Sequence, residues 1–271
     1  MSILDIIKNE TIIAPGVYDP LSALIAQKVG FKAIYLSGAS ISYTYLGMQD
    51  LSFTNLTDVE NALRRITTRV DTPTICDADT GYGSEDNVAR TVRMLERSGA
   101  AAVQIEDQDS PKRCGHLSGK EVVPVEEMVL KIKSAISARR DAAIIARTDA
   151  ITVSGMDEAI YRANRYLETG ADIVFVESPR NKEEVRRIAR DVHGLKLINM
   201  VEGGNTPIMD FNELKSMGFS IVIYPGSAVR VVTFALDNLY RALSATGSTL
   251  IIRDKMLDFS HLQDLLKVEM L

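Results

Sequence analysis

Eight short runs of apolar, largely β-branched residues punctuate this chain, and most are separated by stretches with helical spacing. The runs fall at residues 11–15, 33–36, 74–76, 101–105, 142–146, 173–176, 195–198 and 221–224. A run that is apolar throughout, rather than alternating, fits a parallel strand buried on both faces. Between them the pattern predicts helices over 86–98, 157–169, 181–192 and 212–217. Gly30, Gly99, Gly170, Gly194 and Gly218 each stand where a helix should stop before the next strand. That repeated helix–Gly–strand phrase is the mark of an αβ loop, with glycine taking a left-handed cap. Eight such repeats predict an α/β fold, a closed (β/α)8 TIM barrel rather than an open doubly wound sheet. The length of 271 residues suits one such barrel, which typically needs about 250. Without a Gly- or Pro-rich linker, residues 1–271 read as a single domain.

Composition removes several functional classes. With 46% apolar and 25% charged residues the chain has the balance of a water-soluble protein with a large core. A net charge of −5 offers no electrostatic footprint for nucleic acid or an anionic membrane. Two cysteines far apart make no disulfide framework, and a reactive thiol suits a reducing compartment. Charge interrupts the first residues, Met-Ser-Ile-Leu-Asp-Ile-Ile-Lys, so no signal peptide is expected there. No apolar run approaches the roughly 20 residues of a membrane span. The expected location is the cytoplasm.

In barrels of this kind the active site is built at the C-terminal ends of the strands. Strand three ends in Asp77-Ala78-Asp79-Thr80-Gly81-Tyr82-Gly83, strand four in Glu106-Asp107-Gln108, and strand five in Arg147-Thr148-Asp149. Strand six ends in Glu177-Ser178, and strand seven opens into Asn199-Met200-Val201-Glu202-Gly203-Gly204. An isolated Asp or Ser there is most often a helix cap. Carboxylates from three strands beside Arg147 and Asn199 are too many for capping alone. Asp77, Asp79 and Glu106 are hard oxygen donors with no His or Cys among them, which suits Mg²⁺. Arg147, at the end of a buried strand, requires an anion, either substrate or a carboxylate such as Glu177 or Asp77.

The segment Lys112-Arg113-Cys114-Gly115-His116 lies in a loop punctuated by Ser110-Pro111 and Ser118-Gly119. A thiol beside two cations and a histidine should have a lowered pKa and exchange protons near neutral pH. Cys76, inside an apolar run, reads as a core residue. His193 and His261 read as surface or capping residues, and neither a Ser-His-Asp set nor a Walker sequence occurs.

Taken in order, these four segments around Asp77, Glu106, Cys114 and Arg147 resemble the isocitrate lyase/phosphoenolpyruvate mutase superfamily over about residues 14–224. The Lys-Arg-Cys-Gly-His loop is similar to that of its carbon–carbon lyases, the 2-methylisocitrate and 2,3-dimethylmalate lyase branch. The resemblance implies a homotetramer, a dimer of dimers, in which the C-terminal helical region, 228–271, packs on a neighbouring subunit. It implies Mg²⁺ (Mn²⁺ as a substitute) held by Asp77, Asp79 and Glu106, with Asp50 in the outer shell. Tyr35, Ser37, Gly38, Ala39 and Arg147 would surround an α-hydroxycarboxylate, Gly115, His116 and Asn199 its distal carboxylate, and Glu177 the polar floor. The implied reaction is cleavage of a small 2-hydroxy di- or tricarboxylate, with Cys114 as proton donor. Rivals are a carboxyphosphonoenolpyruvate-type phosphonomutase, an oxaloacetate decarboxylase or hydrolase, and, from another class, a non-catalytic barrel. Two departures bear on the substrate: the Val201-Glu202-Gly203-Gly204 sequence, and Gly226 where these relatives usually carry leucine.

Overall fold

The computed structural model describes residues 2–267; residue 1 and residues 268–271 of the expected domain lie outside the described residues. Eight parallel strands close into a barrel in sequence order. They are β1 Ile12–Val17, β2 Ile34–Leu36, β3 Thr74–Asp77, β4 Ala100–Glu106, β5 Ala143–Thr148, β6 Ile173–Val176, β7 Leu195–Asn199 and β8 Ile221–Tyr224. The TIM barrel expected from the sequence is therefore the fold, and β8 pairs back onto β1 through Ile12–Ile221 and Ile13–Val222. The four anticipated helices form as Glu85–Arg97, Met156–Thr169, Lys182–Asp191 and Phe211–Ser216. The five helix-ending glycines all have positive φ, from 84° to 150°. The chain divides into two compact units, Met1–Ser227 and Ala228–Leu271. The second comprises most of the helix Ser227–Thr246, a 3-10 turn and the helix Phe259–Leu266. No helix among the described residues is long and apolar enough to cross a membrane.

Pro20–Val29, Leu56–Thr67 and Val125–Ala138 add helices beyond the four expected, and one more precedes the first strand. Ile3–Asn9 (α1) is fixed at its start by a reciprocal cap between Ser2 and Asp5. Its Ile3, Ile6 and Ile7 join the barrel-filling cluster beside Ile12, Ile173 and Ile221, residues from the beginnings of strands. The N-terminal mouth is thereby plugged with hydrocarbon, and chemistry is left to the other end.

The barrel interior also dictates which residues line that other end. A strand alternates its faces with a period of two, and the cluster contains Tyr35, Ile75, Ala102, Ile145, Phe175 and Leu197. Stepping on by two along each strand gives Ser37, Asp77, Gln104 and then Glu106, Arg147, Glu177 and Asn199. Every one of these is buried. The residues out of phase point to the helices. Asp107 is fully buried, yet it accepts hydrogen bonds from Tyr166 Oη at 2.8 Å and Arg162 Nη1 at 3.1 Å, both on Met156–Thr169. It belongs to the wall. Cys76 is likewise fully buried, as a core residue should be.

Candidate active site

Two linked groups of buried polar side chains occupy the C-terminal rim. In the first, Tyr35 Oη donates to Gln104 Oε1 at 3.1 Å, and Gln104 Nε2 donates to Asp77 Oδ1 at 3.1 Å. Asp77 Oδ1 also accepts the backbone N–H of Asp79 at 3.2 Å. Neither aspartate caps the following helix, whose N-cap is Ser84. Asp79 itself sits at φ +47°, a left-handed conformation that a short polar residue tolerates but which costs energy. Lys112 reaches from the cysteine loop to bridge Asp50 at 2.6 Å and Asp79 at 2.7 Å.

The second group centres on Arg147. Its guanidinium lies 3.1 Å from Glu106, 2.8 Å from Asp149 and 3.5 Å from Glu177. The anionic partners are thus Glu106, Asp149 and Glu177 rather than Asp77. Asn199 Nδ2 donates to Glu177 Oε2 at 3.1 Å, and His116 Nε2 lies 3.7 Å from Glu177 Oε1. The backbone N–H of Asn205 donates to His116 Nδ1 at 3.1 Å, so a neutral His116 carries its proton on Nε2, facing the site. Ser37 caps the short helix Gly38–Ile41 through the N–H of Ser40, with Gly38 and Ala39 in its first turn. A Cβ at Gly38 would stand 3.3 Å from Asp79 Oδ1, so a larger residue there would crowd both aspartates.

The electrostatics favour a cation. Asp50, Asp77, Asp79, Glu106, Asp149 and Glu177 face only Lys112, Lys120 and Arg147 as full cations, and all are buried. Burial raises Asp79 to about 6 despite Lys112 beside it, and raises Glu106 well above the ordinary glutamate range. For Asp149, burial is outweighed by Arg147 and Lys120, which bring it to about 2. Glu106 Oε1 and Asn199 Oδ1 are buried without a hydrogen bond, and Asp79 Oδ1 has only the Lys112 ammonium, 2.7 Å away. Unpartnered oxygens of this kind in an electronegative recess are what a hard divalent ion would satisfy. Among the described residues no three His, Cys, Asp or Glu converge into a metal cage. The donors therefore fit an ion held by few protein oxygens, with water and substrate completing its shell.

The cysteine loop is folded down over Arg147. Cys114 is half-buried, and burial pushes its thiol above the ordinary cysteine value, opposed by the His116 backbone N–H and, more weakly, by Arg147. The lowered pKa expected from sequence neighbours is corrected. Lys112 is engaged by Asp50 and Asp79, and burial outweighs the remaining positive charge. A Cβ at Gly115 would meet Arg147 Nη2 at 2.4 Å and Glu177 Cγ at 2.6 Å, so only glycine allows this approach. Gly115→Ala is expected to hold the loop off the site and cut turnover by about 100-fold, the scale of a 1 Å misplacement. Steady-state kinetics beside an unchanged melting temperature would check it. Gln104, Lys120 and Asp149 have no role in the sequence reading, and Lys112 only that of a cation beside Cys114; alternation along β4 and β5 is the signal that points to Gln104 and Asp149.

Ionisable groups of both signs at the C-terminal rim of a plugged parallel barrel define a (β/α)8 enzyme. Residues 4–244 match the phosphoenolpyruvate phosphomutase family. The chain is 46% identical to a 2-methylisocitrate lyase of Aeropyrum pernix, covering 96% of this chain and 84% of that one. It is 43% identical to the 2,3-dimethylmalate lyase of Eubacterium barkeri, covering 96% and 91%. An oxaloacetate acetylhydrolase bound to 3,3-difluorooxalacetate superposes with a TM-score of 0.93 at 35% identity, covering 97% and 91%. A phosphonopyruvate hydrolase bound to oxalate and Mg²⁺ gives 0.87 at 26%, covering 98% and 95%. The chain belongs to the phosphoenolpyruvate mutase/isocitrate lyase superfamily.

Proposed function

We propose that this carbon–carbon lyase cleaves a 2-hydroxy di- or tricarboxylate, of the methylisocitrate or alkylmalate kind, into a 2-oxo acid such as pyruvate and a second carboxylic acid. The observation that carries the proposal is the half-buried Cys114 thiol on a loop folded over Arg147, where burial pushes its pKa upward. Asp77, Asp79 and Glu106, with Asp50 behind them, would hold Mg²⁺ (or Mn²⁺). Once bound, the ion would supply Lewis-acid polarisation of the substrate's oxygens.

The chain's own residues do the rest. Arg147, backed by Asp149, steadies the negative charge that develops on the substrate hydroxyl oxygen as its proton passes to the Glu177 carboxylate beside it. Tyr35, Ser37, Gly38 and Ala39 hold the α-hydroxycarboxylate. His116, through Nε2, and Asn199 take the distal carboxylate beside Gly115, with Glu177 orienting both. The C–C bond breaks as the hydroxyl carbon becomes a carbonyl, and its electron pair passes to the departing carbon. Cys114 gives that carbon a proton, and the thiolate left behind is reprotonated after the loop opens. Closure of residues 109–120 keeps water from the carbanion meanwhile.

The test is a Mg²⁺-dependent screen of methylisocitrate, dimethylmalate, malate homologues and oxaloacetate for 2-oxo acid release, with ³¹P NMR on phosphonates. Pyruvate or glyoxylate released from a hydroxy acid supports the proposal; a rearranged C–P resonance alone would replace it with a mutase. A homotetramer in a reducing cytoplasm belongs to the same proposal. Both cysteines are free, and in residues 228–271 Val231, Phe234, Tyr240, Leu250, Ile251 and Phe259 are exposed. We expect light scattering to give four chains per particle, with 228–271 packed on a neighbour; a monomer would end that part of the reading.

A further inference from the structure

We infer that Lys120 and Ser178 are positioning residues that catch the Gly115 carbonyl, and that Lys120 couples closure of the loop to the placement of Arg147. Lys120 Nζ donates to Gly115 O at 2.5 Å and to Asp149 Oδ1 at 2.8 Å. Ser178 Oγ donates to the same carbonyl at 2.9 Å. Lys120 and Asp149 have 1% and 0% of their side chains exposed, so neither bond is diluted by water. Asp149 grips Arg147 in turn, at Nε with 2.8 Å and at Nη2 with 3.0 Å. One ammonium thus spans the moving loop and the fixed carboxylate that aims the guanidinium.

Two further features mark this carbonyl as a catch point. Ser178 holds φ +61°, an unfavourable conformation for a residue with a side chain, which persists where the surroundings demand it. A glycine carbonyl gripped by two side chains also satisfies the loop only in its closed position. When the loop lifts about its Lys120 end, Gly115 O passes to water, while Lys120 keeps Asp149. At this end of the loop, opening and closing therefore turn about the Lys120–Asp149 pair, which stays formed. The inference rests on the reading that the closed loop is the competent one, but its primary test does not.

The reporter is the Asn205 amide, which bonds to His116 Nδ1 on the loop and is freed when the loop lifts. Hydrogen exchange is followed in the protein without substrate, for the wild type, Ser178→Ala, Lys120→Met and Lys120→Arg. Losing one bond to the Gly115 carbonyl is expected to speed exchange of Asn205 and of the 113–117 amides by about tenfold. Turnover with Mg²⁺ should fall as the open fraction rises, mainly in kcat, and Lys120→Arg should recover part of both. Ser178→Ala changes no charge and carries the test even if Lys120→Met fails to fold. Wild-type exchange in folded Ser178→Ala, or in Lys120→Met where it folds, would overturn the inference. If the lyase reading failed instead, exchange would still change while no hydroxy acid was cleaved.

Discussion

Replacing Cys114 by serine should lower turnover about 10²–10⁴-fold, the contribution of a positioned proton donor, while leaving Mg²⁺ affinity and thermal stability near wild type. Serine is close to cysteine in size and fits the same half-buried place. Its hydroxyl, though, is far too weak an acid to quench a carbanion. The pH profile sharpens the expectation. A donor must be protonated, and burial pushes this thiol above the ordinary cysteine value, so activity that depends on it should persist through neutral pH and fall only on the alkaline side. A thiol lowered by cationic neighbours would give the opposite, with activity already declining near pH 7. Near-normal kcat in Cys114→Ser, or an alkaline limb unmoved by that substitution, would remove Cys114 from the chemistry.

That reversal shows where sequence proximity misleads. Lys112 and Arg113 flank Cys114 in the chain, but Lys112 spends its charge on Asp50 and Asp79, residues 62 and 33 positions earlier. Long-range pairing of this kind leaves no local pattern. The barrel was legible because fully buried strands need continuous apolar runs, and glycine must occupy the caps between helix and strand. Most of the candidate site was legible for a related reason: polar residues terminating such runs have few structural excuses. Gln104 and Asp149 were passed over although alternation from Ala102 and Ile145 places them on the inner face. Asp107 shows the other half of that rule, since one step out of phase turned a site-like residue into a wall anchor for Arg162 and Tyr166. The α1 plug was missed because a single short helix before the first strand has no repeat to announce it.

Arg147→Met should be the most damaging single change to the fold as well as to the reaction. The substitution keeps much of the stem's volume but leaves Glu106, Asp149 and Glu177 without their shared cation, all three at most about 2% exposed. Breaking a buried ion pair from one side typically costs about 3–5 kcal/mol, because the stranded charges stay desolvated. The loss should depend on pH in a direction the wild-type network fixes. Asp149 is depressed to about 2 from 3.8, so its pairing stabilises the native state above pH 3.8 and that contribution fades as pH falls towards 2. In Arg147→Met the same carboxylates repel when ionised and are relieved when protonated. The stability gap between variant and wild type should therefore be widest at neutral pH and narrow as pH drops through about 4. Urea midpoints measured from pH 7 down to 4 would show this, and a gap independent of pH would mean that packing by the side-chain stem, not its charge, holds the rim together. Mg²⁺ offers a second check. An added cation close to Glu106 would return part of the lost stability to the variant, more than it adds to the wild type, where Arg147 already neutralises that carboxylate. On the proposed mechanism catalysis would not return with it, because the charge beside the breaking bond is the guanidinium that Asp149 aims.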